Sequence, residues 1–249
     1  MIGRSTTRLG LLQQQLRAPA GSLQLGALLM PEAAAPATTS TAARAAAAAA
    51  AGVTIDLSGK TALVTGATGQ LGRVMVRTLA TAGCDVVVHY RSDEAGAAAL
   101  CEEVRAMGRR AMAVYADVGD ADSVNAMHAK VVAELGDPDI VVTNAVQQIT
   151  GGWKTVLEQD IEAYEGQFRT SVLQNVLFAK AYIPGMVAKG EGRFIGINTE
   201  CAMQNYETQS AYTSGTAAVT GYLLSFRSRA HSGTSLPDSK IIPTSGCLQ

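Results

Sequence analysis

The sequence predicts an α/β fold, a doubly wound parallel sheet with helices on both faces, over residues 57–229. Three observations carry this. From Gly59 onward, short and continuously apolar runs alternate with longer helical patterns. Each helical pattern closes on a stop residue such as Gly83, Gly108 or Gly136. A glycine-rich turn, Thr65-Gly66-Ala67-Thr68-Gly69-Gln70-Leu71-Gly72, joins the first apolar run to the first helical pattern. Strands that are apolar throughout are buried on both faces, which is the mark of a parallel sheet. Right-handed crossovers then put helices on alternate faces, with ligands at the carboxyl ends of the strands.

The elements follow in order. Residues 60–64 form the first strand, and 70–82 a helix that Gly83 terminates. Residues 85–90 hold Val86-Val87-Val88, the second strand; Ser92 then caps an Ala- and Glu-rich helix that stops at Gly108. The third strand is 111–116, followed by a helix over 120–135 that Gly136 ends. Ile140-Val141-Val142 marks the fourth strand, 139–143. A long helical region runs from about 157 to 188, with a bend or stop near Pro184-Gly185. The fifth strand is 192–198, with Phe194-Ile195-Gly196-Ile197, and 211–229 reads as the last helix. Beyond Arg229 periodicity is lost, so 230–249 reads as an irregular tail in which Ile241-Ile242-Pro243 is too short to assign a strand. The last one or two strands of such a sheet are therefore expected to be missing, leaving the fifth as an open apolar edge.

Composition narrows the function classes. A chain of 249 residues that is 47% hydrophobic suits one globular domain. A net charge of −1 argues against nucleic acid as the main partner. No apolar run has the roughly 18 residues of a membrane span. Cys84, Cys101, Cys201 and Cys247 show no Cys-x-x-Cys spacing, and His89, His128 and His231 are scattered. The histidines read as surface or packing residues, no metal site is expected, and the cysteines fit a reduced interior.

Residues 1–56 differ in kind: Arg4, Arg8, Arg17 and Arg44 face a single acid, Glu32, in an Ala-, Ser- and Thr-rich stretch. That composition fits a transit peptide to a plastid or mitochondrion. It equally fits a low-complexity extension or a misassigned start codon, in which case the protein is cytoplasmic.

Four further features accompany the glycine turn. Asp117-Val118 ends the third strand, Asn144-Ala145 follows the fourth, and Thr199 precedes Tyr212 by thirteen positions in Tyr212-Thr213-Ser214-Gly215-Thr216. In this order and spacing, residues 57–229 resemble the short-chain dehydrogenase/reductase family, a Rossmann-type fold, in its 3-oxoacyl-reductase-like branch. The resemblance implies a dinucleotide held by Thr65, Gly66, Thr68, Gly69, Gln70, Leu71 and Gly72 at the phosphates, Asp117 and Val118 at the adenine, and Asn144, Ala145, Tyr212 and Thr216 further along. An NAD site usually places an acid at the end of the second strand. Here Arg91 stands there, suited to a charge-assisted contact with a 2′-phosphate, so NADP(H) is the expected cofactor.

The family's chemistry would make Tyr212 the general acid/base and Thr199 the hydroxyl that polarises the substrate oxygen. The substrate would be a small carbonyl or alcohol, and the long helices would serve a homo-oligomer. Three departures accompany this. Thr216 replaces the family's active-site Lys, Ser171 replaces its Asn with Asn175 one helical turn further on, and Gln70 replaces the middle glycine. A tyrosine of ordinary pKa, about 10, is only about 0.1% ionised at neutral pH, so impaired catalysis is expected. Two alternatives stand beside the reductase: a dinucleotide-binding protein without turnover, and, from the spacing Thr-Gly-x-x-Gly-x-x-Gly alone, an epimerase or dehydratase of the extended branch.

Overall fold

Alternation of side chains along the central strands decides the architecture. A computed structural model describes residues 55–147, 153–203, 207–227 and 238–244. The sequence reading of residues 1–54, including a transit peptide, lies outside them. In β1 (Thr61–Val64) all four residues are buried, and in β2 (Asp85–Tyr90) so are the four inner ones. Successive side chains point to opposite faces. Ala62, Val64, Val86 and Val88 accordingly join one apolar cluster, and Leu63 and Val87 the other.

The first cluster takes Val76 and Ala80 from α1 (Gln70–Thr81) and Leu100 and Val104 from α2 (Glu94–Ala106). The second takes Val124, Met127 and Val131 from α3 (Ala121–Leu135). Phe178, Tyr182 and Met186 come to it from α5 (Gln174–Lys189), and Val219 and Leu223 from α6 (Ser210–Arg227). A sheet apolar on both faces needs a helical layer on each, and the chain supplies both. Cys84, Cys101 and Cys201 are buried free thiols within this framework.

The strand order is β3-β2-β1-β4-β5-β6, with β3 at Ala111–Tyr115, β4 at Ile140–Thr143, β5 at Arg193–Thr199 and β6 at Asp238–Thr244. All pairs are parallel. The chain runs outward from β1 through β2 to β3, then crosses to β4 on the other side of β1. Such a reversal opens a crevice at the strands' carboxyl ends, where ligands bind in open α/β sheets.

Three expectations need correction. The cap of α2 is Asp93, not Ser92: its carboxylate accepts from the Gly96 backbone N–H at 2.9 Å. A Cβ on Gly96 would lie 2.1 Å from that carboxylate, so the glycine makes room for the cap.

The long helical region is interrupted at a different place. α4 (Ile161–Phe168) runs into a π-helical turn, Arg169–Leu173, before α5 begins. Pro184 lies inside α5, which ends instead at Gly190 in the left-handed conformation, φ 73°. An interior proline costs about 3 kcal/mol. Burial of Phe178, Tyr182 and Met186 along the same helix offsets it, at roughly 1.5–3 kcal/mol per large apolar side chain.

The third correction concerns the tail. Residues Asp238–Thr244 form β6, paired with β5 from Arg193↔Asp238 to Thr199↔Thr244. The fifth strand is thus covered, and among the described residues β6 is the edge, a position where a proline such as Pro243 is tolerated.

Candidate active site

The phosphate turn grows out of β1 because two glycines have steric reasons to be glycines. Gly66 has φ 59°, and a Cβ there would also come within 3.0 Å of the Ala145 Cα. A Cβ on Gly72 would lie 2.2 Å from the Gly66 carbonyl oxygen, so only glycine lets α1 pack this closely on the turn. Gln70, in place of the family's middle glycine, is exposed on the first helical turn. The N–H groups of Gln70, Leu71 and Gly72 belong to that first turn, where a helix offers donors without intrahelical acceptors and the positive end of its dipole. That is an anion cradle.

Four side chains hold the turn. Thr65 is fully buried; its hydroxyl donates to Gln174 Oε1 at 2.7 Å and accepts from the N–H groups of Asn144 and Ala145 at 2.8 and 2.9 Å. Asn144 Nδ2 donates back to the Thr65 carbonyl at 2.9 Å. Gln174 Nε2 donates to the carbonyls of Ala145 at 2.9 Å and Thr170 at 2.6 Å. His89 Nδ1 accepts from the Gly66 N–H at 3.0 Å, so Nε2 carries the proton and donates to the Ala116 carbonyl at 3.0 Å. With the ring 1% exposed, burial pushes its pKa down to about 4, and the imidazole is neutral.

Sequence reasoning missed both Gln174 and His89. A polar residue in the run Val86-Val87-Val88-His89 was the signal for the histidine, since a group buried on both faces must find partners.

A cleft of about 230 Å³ brings together Arg91, Asp117 and Arg169, with Glu162 and Glu165 on its α4 side. Arg91 and Asp117 lie far apart in sequence but follow the paired ends of β2 and β3, Tyr90↔Tyr115. Asp117 Oδ1 accepts from the Gly119 N–H at 2.9 Å, and Arg169 donates to the Gly119 carbonyl at 3.3 Å, which fixes the turn beneath the cleft. Val118 is 4% exposed and packs in the core, so its backbone alone remains for a ligand.

At the other end, Thr199 closes β5 and its hydroxyl caps a short 3₁₀ turn, Glu200–Ala202, accepting from the Cys201 N–H at 3.4 Å. That turn packs on α6, which carries Tyr212 in its first turn. Asn198 locks the two together: Nδ2 donates to the Thr216 carbonyl at 3.0 Å and to Thr220 Oγ1 at 2.7 Å, and Oδ1 accepts from the Thr199 N–H at 2.9 Å. Tyr212 is half-buried, its ring edge-on to Trp153 with centroids 6.0 Å apart.

Thr216 is buried, and its hydroxyl bonds back to the carbonyls of Tyr212 at 2.9 Å and Thr213 at 3.2 Å. It brings no positive charge toward the phenol. Ser171 sits in the π turn, where its carbonyl accepts from Asn175 Nδ2 at 2.6 Å; Thr143 donates to Asn175 Oδ1 at 2.7 Å. Asn175 therefore anchors the π turn to β4, and a π turn inside a helix often marks a functional site.

The family model for short chain dehydrogenases matches residues 60–233. The chain belongs to that family. Among its relatives is the L-rhamnose 1-dehydrogenase (NAD(P)(+)) of Sphingomonas sp. (strain SKA58), 30% identical over 164 residues. That match takes in 66% of this chain and 63% of the relative, so the chain spans less than two thirds of that enzyme's length.

Solved short-chain dehydrogenases share the fold. A 7α-hydroxysteroid dehydrogenase complexed with NADH and 7-oxo glycochenodeoxycholic acid superposes with a TM-score of 0.69 at 25% identity, covering 76% of this chain and 72% of that one. The L-sorbose reductase of Gluconobacter frateurii, complexed with NADPH and L-sorbose, gives 0.66 at 26%, covering 72% and 67%. Both forms of the nicotinamide cofactor thus occur among the neighbours, and this short-chain dehydrogenase carries the glycine cradle that such a dinucleotide fits.

Proposed function

We propose that the chain is an NADP(H)-dependent oxidoreductase of the 3-oxoacyl-reductase-like kind, acting on a small carbonyl or alcohol with slowed turnover. The observation that carries this reading is the placing of Arg91 and Asp117 in one cleft, on the strand ends beside the glycine cradle. Arg91 is suited to a 2′-phosphate and Asp117 to the adenine edge. The first-turn amides of α1 would hold the pyrophosphate, and Thr65, Asn144, Ala145 and Gln174 keep that turn still. Thr68, Gly69, Leu71 and Val118 contribute backbone to the same path.

The bound nicotinamide supplies or accepts the hydride. Tyr212 gives its phenolic proton to the substrate oxygen during reduction and takes it back during oxidation. The Thr199 hydroxyl uses its oxygen to cap the 3₁₀ turn, leaving its proton to donate to the same substrate oxygen. Ser171 and Asn175 shape the π turn beside it. Reduction starts from the protonated phenol and is the direction favoured here; oxidation needs the phenolate, which Thr216 does nothing to stabilise. A homo-oligomer through the long helices belongs to the same reading, supported by exposed Ile161 and Phe168 on α4.

The test is loss of nicotinamide absorbance with 3-oxoacyl thioesters, ketones and quinones, alongside fluorescence titrations of NADPH and NADH. Arg91→Ala should weaken NADPH binding by about 10- to 100-fold, the equivalent of a charged hydrogen bond, and leave NADH unchanged. Equal loss for both dinucleotides would overturn the NADP(H) assignment. A second reading, binding without turnover, is favoured by the Thr216 hydroxyl being spent on its own helix. It predicts tight NADPH binding with no consumption across the panel.

A further inference from the structure

Trp153 is the single tryptophan of the chain, and nothing above assigns it a role. It follows β4 at the carboxyl end of the sheet, where ligands of such folds sit. About half of its surface, 51%, is exposed, yet its ring is fixed edge-on to Tyr212 at 6.0 Å and 66°. An indole held against one aromatic partner while its remaining surface stays wet offers a preformed apolar wall. On the β5 side, Met203 follows the 3₁₀ turn that Thr199 caps and is 87% exposed. Apolar side chains thus stand in the loops after β4 and β5, the two strands that lead to the Thr199–Tyr212 end of the site.

We infer that Trp153 is a specificity-determining residue, selecting carbonyl substrates whose carbonyl carries a planar, apolar flank over compact or polyhydroxylated ones. The inference rests on Tyr212 as the proton donor in the proposed reduction. A planar flank stacks on the indole and completes its burial, gaining apolar area and an aromatic contact together. A polyhydroxylated chain in the same place turns hydroxyls toward a surface with little hydrogen-bonding capacity, and each hydroxyl deprived of water there weakens binding.

The test compares α-tetralone, cyclohexanone and D-fructose as NADPH-linked substrates of the full chain and of Trp153→Ala and Trp153→Phe, with melting curves to verify folding. Trp153→Ala should raise KM for α-tetralone about tenfold, with kcat changed less than about threefold and the other two ketones unaffected. Trp153→Phe, which keeps an aromatic face, should restore most of that loss. An equal fall on all three ketones, or an unchanged α-tetralone KM, would overturn the proposal.

If the chain turns over none of the three, binding decides the specificity separately, and the reductase reading fails only where the 3-oxoacyl thioesters and quinones are inert too. Emission of the lone tryptophan in the presence of NADP⁺ should then be quenched saturably by α-tetralone and not by D-fructose. Absence of quenching by α-tetralone, or equal quenching by both, refutes the role of Trp153.

Discussion

Acid should loosen this fold through one buried imidazole. His89 bridges the Gly66 N–H and the Ala116 carbonyl as the neutral Nε2–H form, with burial pushing its pKa down to about 4 from 6.5. The native state disfavours the cation, so below about pH 6.5 the unfolded chain binds more protons and stability falls with pH. The loss stops growing near pH 4, where the native imidazole is itself protonated. Across the whole window a shift from 6.5 to about 4 corresponds to about 3 kcal/mol; between pH 7 and pH 5 the share is about 2 kcal/mol. For a domain of this size that is a fall in Tm of about 4–8 °C.

A protonated ring would also turn a second N–H against the Gly66 N–H, so NADPH affinity should fall along with stability. The assay is the difference in Tm between pH 7 and pH 5 for the wild type and for His89→Asn, which keeps an acceptor without a titrating ring. Exposed carboxylates titrate alike in both, so the difference isolates His89. Identical pH slopes, or ¹⁵N NMR finding the proton on Nδ1 in the native protein, would refute the reasoning.

Two further outcomes follow from the site. Gly72→Ala would place a Cβ 2.2 Å from the Gly66 carbonyl oxygen, a backbone atom that cannot yield cheaply. We expect a loss of about 3 kcal/mol or more, read as a Tm lower by about 6–12 °C, and an unchanged Tm would show that α1 can slide away from the turn. Thr216→Lys frees the helix carbonyls now bonded to the threonine hydroxyl and brings an ammonium near the Tyr212 phenol. Alcohol oxidation should rise at least about tenfold, with its pH profile shifted to lower pH as the phenolate becomes accessible; no gain in either would show that the missing charge is not what limits turnover.

The first five strands and most element ends were legible because they depend on local rules. Gly83, Gly108 and Gly136 adopt φ of 102°, 77° and 80°, so the residue that stops each element is the one its backbone requires. Runs such as Val86-Val87-Val88 cannot be half-exposed, and that fixed the strands as central. The π turn at Arg169–Leu173 was hidden because apolar periodicity resumes on both sides of it; an insertion of this kind shifts the register without changing the residue types. β6 was hidden by the shortness of its apolar run, Ile241-Ile242, ahead of Pro243. A proline argues against an interior strand, and its meaning changes once five other strands place this one at the edge.

The site divides along the same line. Residues whose task is local, such as Gly66 in its left-handed turn or Thr199 at its cap, announce themselves by type and spacing. Arg91 and Asp117 were singled out one at a time, by their places after the second and third strands, but that they line one cleft follows only once parallel register sets Tyr90 beside Tyr115. His89 and Gln174 are more dependent still: their partners, Gly66 and Ala116 for one, Thr65 and Ala145 for the other, belong to segments that meet only after β4 crosses to the far side of β1. The crossing that creates the crevice also supplies the groups that stiffen its floor. On the proposed function, binding would rest on contacts spread across β1, β2, β4 and α5, whereas proton transfer would depend on a few groups around Tyr212, among them Thr216. A single substitution at position 216 can slow the chemistry while leaving every one of those binding contacts in place.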